Sequence, residues 1–265
     1  MTDRYAVLGN PIAHSKSPQI HRAFAEQTGQ DITYEAILAP INPFESLVRE
    51  LIAKDYKGAN ITVPFKVDAY EMSAHLSERA KFAGAVNTLV FDERGIFGDN
   101  TDGLGLVRDI EANVGYTLSN AHVLLLGAGG AAQGVAEVLF NAEIASMTIW
   151  NRTHQKAQLL ADKFADKRVQ ATRTLNASYD VVINATSASL TGETLNIQER
   201  QFKKGALAYE MMYGRETPFM AQARSAGAQV VDGLGMLVEQ AAEAFYLWRG
   251  IRPETQAVIQ ALRNN

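Results

Sequence analysis

The chain has 265 residues and no cysteine. That excludes a disulfide framework, a thiolate metal site and a cysteine nucleophile. No apolar run approaches the ~18 residues a membrane-crossing helix needs. The first residues, Met1-Thr2-Asp3-Arg4-Tyr5, show no basic stretch followed by an apolar one, so no signal peptide is read there. Positive charge is not in excess. The formal net charge is -4, which argues against a nucleic-acid partner. The histidines at 14, 21, 75, 122 and 154 show no metal-ligand spacing, so no metal is expected. Repeats, linkers and low-complexity tracts are also missing. What is there is an ordinary globular composition, 47% hydrophobic and 20% charged, in a length comfortable for two domains. Cytoplasm is the default location, and a small molecule the default partner.

The pattern along the chain alternates strands and helices. Residues 4–9 read as a buried strand ending at Asn10-Pro11. Ser17-Pro18 reads as a helix start, with Ser17 as the cap and Pro18 in the first turn, and the helix runs to about Thr28. A strand near 33–38, a helix near 43–53 and a strand near 58–62 follow. Residues 86–98 read as a hairpin turning at Asp92-Glu93-Arg94-Gly95, and Asp102 opens a helix to about Asn113. The pattern restarts at His122 with repeated strand-helix units, which imply a parallel sheet. The last stretch, from Met236, is helical with a break near Gly250 to Pro253. The expected fold is therefore α/β with two domains. Residues 1–102 plus 236–265 form an N-terminal α/β substrate domain, and 103–235 a Rossmann-type NADP-binding domain with a parallel sheet.

The strand 122–126 runs into Gly127-Ala128-Gly129-Gly130-Ala131-Ala132. Gly127 allows the tight turn, Gly129 lets backbone approach a pyrophosphate, and Ala132 is small enough for helix-sheet packing. The helix that follows offers unpaired N–H groups to phosphate. A glycine turn alone is also consistent with a plain structural role. The end of the next strand selects the cofactor. NAD enzymes place a carboxylate there for the ribose 2′-hydroxyl, whereas this chain places Asn151-Arg152-Thr153, with Lys156 one helical turn on. Arg152 suits adenine stacking and a 2′-phosphate bond. The plainer alternative is that Thr153 caps the helix and the cations are merely solvated. The balance favours NADP(H).

Three other segments are polar for loops that follow buried strands. Ser15-Lys16-Ser17 offers hydroxyls and N–H groups at a helix start, suited to a polyhydroxyl carboxylate; simple capping by Ser17 is the alternative. Asn60 and Thr62 share one side of a strand, and Lys66 follows. Asn100-Thr101-Asp102-Gly103 combines a turn with a carboxylate.

Together these segments carry a resemblance. Asn-Pro-Ile-x-His-Ser-x-Ser-Pro, Asn-x-Thr-x-Pro-x-Lys and Asn-Thr-Asp-Gly-x-Gly occur in that order. They precede a Gly-Ala-Gly-Gly loop and an Asn-Arg-Thr triplet. From Gly9 to Gln240 the chain resembles the shikimate dehydrogenase family. The resemblance implies NADPH-dependent, reversible reduction of 3-dehydroshikimate to shikimate, a step toward aromatic amino acids. It implies that Ser15 and Ser17 hold the substrate carboxylate, and that Asn60, Thr62, Asn87, Asp102 and Gln240 bind ring hydroxyls. Lys66 and Asp102 become the catalytic pair. Gly127, Ala128, Gly129, Gly130 and Ala131 take the pyrophosphate; Asn151, Arg152, Thr153 and Lys156 take the 2′-phosphate. Met211, Gly235 and Met236 line the nicotinamide, Tyr213 the substrate, and Glu78 approaches the cofactor. The chain departs from the family pattern at Glu210, where Asp is common, at Lys156, where Arg is frequent, and at 214–218 after Tyr213. A quinate/shikimate enzyme of looser selectivity and a catalytically silent ligand-binding paralogue are the competing readings. A monomer or homodimer is expected.

Overall fold

A computed structural model of the chain describes residues 2–188 and 193–264. The fold divides into two compact units, one of residues 1–105 plus 238–265 and the other of residues 106–237.

The first unit is built on a six-stranded sheet. Its strands are β1 (Asp3–Gly9), β2 (Ile32–Leu38), β3 (Tyr56–Ile61), β4 (His75–Leu76), β5 (Thr88–Asp92) and β6 (Gly95–Asp99), in the order β2-β1-β3-β5-β6-β4. β1 pairs in parallel with β2 and β3, while β3/β5 and β5/β6 are antiparallel. The β5–β6 hairpin turns at Asp92, whose carboxylate accepts the Arg94 N–H at 2.8 Å. Helix α1 (Ser17–Thr28) buries Ile20, His21, Phe24 and Ala25, two adjacent pairs four residues apart, which is the stripe a helix needs to lie on a sheet. The same unit contains α2 (Phe44–Ala53), α3 (Lys66–Met72), α4 (Glu78–Ala83) and the start of α5 (Asp102–Arg108). Its core gathers Leu8, Phe44, Ile61, Phe65 and Leu89.

One expectation is corrected here. Ser17 does not cap α1. Lys16 occupies the cap position without a side-chain bond, and the hydroxyl that accepts the Ser17 N–H, at 3.3 Å, belongs to Ser15. Lys16 is already in helical backbone geometry, so the side chain that can bend back to the first turn is the one upstream of it.

In the second unit a short π-helical turn (Asp109–Asn113) follows α5. The sheet contains β7 (His122–Leu126), β8 (Ser146–Trp150), β9 (Val169–Thr172), β10 (Tyr179–Asn184), β11 (Phe202–Glu210) and β12 (Gln229–Asp232). Every pairing is parallel, and the order is β9-β8-β7-β10-β11-β12. Counted from β7 this is 3-2-1-4-5-6, the doubly wound dinucleotide-binding order, whose switch point lies between β7 and β10. Helices α6 (Gly130–Asn141), α7 (His154–Asp162) and α8 (Pro218–Ser225) connect these strands. Thr217 caps α8 by accepting the Met220 N–H at 3.2 Å. The core collects Leu124, Leu126, Val182, Phe202 and Phe219. Helix α9 (Leu234–Arg249) contains the second boundary between units, and α10 (Gln256–Arg263) ends the described chain.

Candidate active site

In the first unit the loops after β1 and β3 lie side by side. Asn10 donates its backbone N–H to Val63 at 3.1 Å, and Thr62 donates to Leu8 at 2.9 Å. Lys66 opens α3. Its Nζ donates to Asp102 Oδ2 at 2.6 Å, and the two side chains keep 30% and 13% of their exposure. A cation and a carboxylate are thus joined in a site that solvent, and therefore a ligand, still reaches. Asp102 is not spent on capping its own helix, since its other oxygen accepts from Asn87 Nδ2 at 2.8 Å. The Asn87 amide also donates to Thr101 Oγ1 and, at 3.4 Å, to Gln240 Oε1. Its carbonyl accepts from the Thr101 N–H at 2.9 Å and from the Thr88 hydroxyl.

Asn60 closes the other side of this network. It donates to the Asn87 backbone carbonyl at 3.2 Å and to Thr88 Oγ1 at 3.1 Å. It accepts from the Tyr34 hydroxyl at 2.7 Å. Both amide hydrogens are therefore used, and only the Asn60 carbonyl has capacity left, as an acceptor. Burial raises the Tyr34 pKa well above its ordinary value, against the pull of a hydrogen bond from Ser17. Ser17, Asn60, Asn87, Lys66, Asp102 and Gln240 thus belong to one connected group. Ser15 joins it through Ser17, and Thr62 is half-buried on the loop that leads to Lys66.

Tyr34, Thr88 and Thr101 complete that group without having been singled out in the sequence. So does Asp99. Buried at 1% exposure, its carboxylate receives the Arg79 guanidinium, the Ser77 hydroxyl and the Asn100 N–H, and so anchors the turn that presents Asp102. Thr101 lies within the polar stretch already quoted and Asp99 directly precedes it; nothing in the spacing pointed to Tyr34. Glu78 stands outside the network. It is exposed at the first turn of α4 and pairs with Lys81 at 2.7 Å.

In the second unit the switch point carries the glycine turn. Gly127 has φ +111, and a Cβ there would meet the Ala185 carbonyl oxygen at 2.9 Å, so this residue has to be glycine. At Gly129 and Gly130 an added Cβ meets nothing within 4 Å. The surface over the start of α6 is open, and Gly129, Gly130 and Ala131 are exposed there, while Gly127 and Ala128 are buried beneath. Helix α6 has no side-chain cap, which leaves its first N–H groups for a phosphate. Thr153 stands at the cap position of α7 but makes no side-chain cap bond, so its hydroxyl is not consumed by the helix. Asn151 Nδ2 donates to the Thr153 carbonyl at 2.9 Å and fixes this turn. Arg152, Thr153 and Lys156 are exposed. These residues fit a dinucleotide carrying a 2′-phosphate.

Met211 and Tyr213 follow β11 on a loop held by Glu210. This buried carboxylate accepts from Asn184 at 2.8 Å, from the Met212 N–H at 3.0 Å and from Thr217 at 2.9 Å. Burial raises the Tyr213 pKa. Tyr213 lies in the second unit. A Cβ at Gly235 would fall 1.8 Å from Asp109 Oδ1. Asp109, 2% exposed, accepts from the Tyr209 hydroxyl at 2.5 Å. Gly235 thus has a packing reason to be glycine, independent of any ligand. Met236, beside it, is buried.

A six-stranded parallel sheet with a glycine turn at its switch point, in a chain that also holds a solvent-reached lysine–carboxylate pair, defines the class: a dinucleotide-dependent α/β oxidoreductase. Comparison with known proteins narrows it. Residues 7–89 match the model of the shikimate dehydrogenase substrate binding domain, 109–207 that of shikimate / quinate 5-dehydrogenase, and 233–263 that of the shikimate 5′-dehydrogenase C-terminal domain. The shikimate dehydrogenase (NADP(+)) of Janthinobacterium sp. is 56% identical over 267 aligned residues, covering 99% of this chain and 98% of that protein. An Ael1 enzyme from Pseudomonas putida is 46% identical with a TM-score of 0.95, over 98% of both chains. The shikimate 5-dehydrogenase of Thermus thermophilus, solved with NADP(H) and shikimate, is 34% identical with a TM-score of 0.89, over 99% of both chains. The chain belongs to the shikimate dehydrogenase family.

Proposed function

We propose that the chain catalyses the reversible, NADPH-dependent reduction of 3-dehydroshikimate to shikimate. The observation that carries this reading is the 2.6 Å pair of Lys66 and Asp102, held by Asn87 and Gln240 in a site that solvent reaches. Reduction of a ketone by hydride leaves an alkoxide unless a proton arrives with it, and a positioned general acid is worth ~10²–10⁴-fold. The Lys66 ammonium is that acid. Asp102 orients it and accepts from a ring hydroxyl. Asn60, restricted to accepting, takes a second hydroxyl. Thr62, Asn87 and Gln240 complete the ring contacts, and Ser15 and Ser17 hold the carboxylate.

The nicotinamide, when bound, supplies the hydride. Gly127 to Ala131 bind its pyrophosphate; Asn151, Arg152, Thr153 and Lys156 bind the 2′-phosphate; Met211, Gly235 and Met236 line the ring. Tyr213 faces the substrate, and Glu78 has the weakest case, since its carboxylate is already engaged by Lys81. The reading also carries a cytoplasmic monomer or homodimer, a state that light scattering of the purified protein measures.

The test is a panel in which shikimate or quinate is mixed with NADP or NAD and the absorbance of reduced nicotinamide is followed. Turnover with shikimate and NADP well above the other combinations supports the reading. Comparable turnover with quinate and NAD replaces it with a broader quinate/shikimate enzyme, and no turnover in any combination replaces it with a silent ligand-binding paralogue.

A further inference from the structure

Arg152, assigned to the 2′-phosphate, faces an acid that no sequence motif pointed to. Arg152 lies on the turn after β8, and its side chain is 87% exposed. Its NH1 is 3.6 Å from Oε2 of Glu193, which is itself 58% exposed. Glu193 stands on the loop that follows β10, and its backbone is tied down by a 3.0 Å bond from its N–H to the Ala188 carbonyl. Ala188 in turn donates to Thr186 Oγ1, and Thr186 to Asn184 Oδ1 at the end of β10. These bonds tie the Glu193 N–H back to the end of β10.

The sheet order gives this pair its meaning. β8 and β10 flank β7 on either side. A contact between the loops that follow them crosses above the end of β7, where the Gly127 turn begins and where this fold takes its dinucleotide. Thr153, whose hydroxyl is not used as a cap, follows Arg152 directly, and the exposed Lys156 lies in the first turn of α7.

We propose that Glu193 is a specificity-determining residue that competes with the 2′-phosphate for Arg152. This rests on the NADP reading above. A dinucleotide with a 2′-phosphate replaces the Glu193 carboxylate as the partner of Arg152 and meets that carboxylate as a like charge. A dinucleotide without one leaves the pair intact. Glu193 thus lowers the preference for NADP that Arg152, Thr153 and Lys156 create. The size of the effect follows from the exposure of both groups: pairs of this kind are worth roughly 1.5- to 5-fold and weaken as salt screens them.

The experiment compares adenosine 2′,5′-bisphosphate with 5′-AMP by titration calorimetry on the full chain at low salt. Wild type, Glu193→Gln, Arg152→Ala and the double variant are each titrated. Glu193→Gln is expected to bind the bisphosphate roughly 1.5- to 5-fold more tightly and 5′-AMP unchanged. The gain is expected to shrink at high salt and to vanish when Arg152 is alanine. An equal gain for both ligands, a loss, no change, or a gain that persists without Arg152 each overturns the proposal. If wild type itself binds the two ligands equally, it is the NADP reading that falls. If wild type discriminates and Glu193→Gln changes nothing, only the role of Glu193 falls.

Discussion

His21 gives the sharpest test of the packing around the substrate network. Its ring is fully buried on α1, stacked on Tyr34 at 4.1 Å and 10°, with Trp248 at 5.3 Å and Phe24 at 5.9 Å. Neither ring nitrogen makes a well-formed hydrogen bond among the described residues. Burial, only partly offset by the nearby Asn60 side chain, pushes its pKa down to about 3. The unfolded chain has an ordinary histidine near 6.5. Between these two values the unfolded state binds more protons than the folded state, so stability rises with pH across that window. The contribution is fully present above the unfolded value and is lost as pH falls toward the folded one. From about pH 7 to about pH 5 this single group costs about 2 kcal/mol. For a chain of this size that lowers Tm by roughly 4–8 °C. His21→Phe keeps a flat ring in the stack and removes the proton site. Thermal unfolding of both proteins at the two pH values isolates the difference, because the carboxylates are common to both. A fall in Tm as large in His21→Phe as in wild type refutes the reasoning. So does an imidazole resonance in the folded protein that titrates near its ordinary pKa.

Two further outcomes follow from the same geometry. Tyr34→Phe removes the hydroxyl that fixes the Asn60 carbonyl, and it is expected to raise KM for shikimate by roughly 2- to 10-fold. KM for NADP and kcat should stay near wild type, and a fall in kcat alone would show that Tyr34 does not act through substrate binding. Arg152→Ala is expected to raise KM for NADPH by roughly 10- to 100-fold and to leave KM for NADH nearly unchanged; equal effects on the two would remove the 2′-phosphate assignment.

Much of this architecture was legible from local patterns. The apolar run 122–126 meeting Gly127 located the glycine turn that the strand order then places at the switch point, because a turn with φ +111 at a strand end leaves few alternatives to glycine. The hairpin was visible in Asp92 to Gly95. Short elements were not: α3, β4, α4 and β9 are too brief to show a period, and tertiary contacts hold them. The signal of a hydroxyl residue followed by proline was read at Ser17-Pro18, where the cap does not form. The same signal stands at Thr217-Pro218, where the cap does form and α8 went unread. The difference is that Lys16, ahead of Ser17, is already helical, whereas Thr217 is extended and can turn its hydroxyl onto the Met220 N–H. The motifs named Lys66 and Asp102, and the resemblance implied Asn87, one by one, but they could not show that Tyr34, Thr88, Thr101 and Asp99 link and brace them. The Tyr34–Asn60 and Asn60–Thr88 bonds join β2, β3 and β5, the Asn87–Thr101 bond joins residues flanking β5 and β6, and pairing across a sheet leaves no mark at fixed sequence spacing.

The central claim is that Lys66, oriented by Asp102, delivers the proton in the reduction of 3-dehydroshikimate. The direct measurement is kcat for Lys66→Ala in the reductive direction, alongside the Kd of shikimate from a binding titration. The account predicts that kcat falls by roughly 10² or more while Kd changes little. A variant that keeps near wild-type kcat, or one that loses shikimate binding while turning over at the normal rate once saturated, contradicts it.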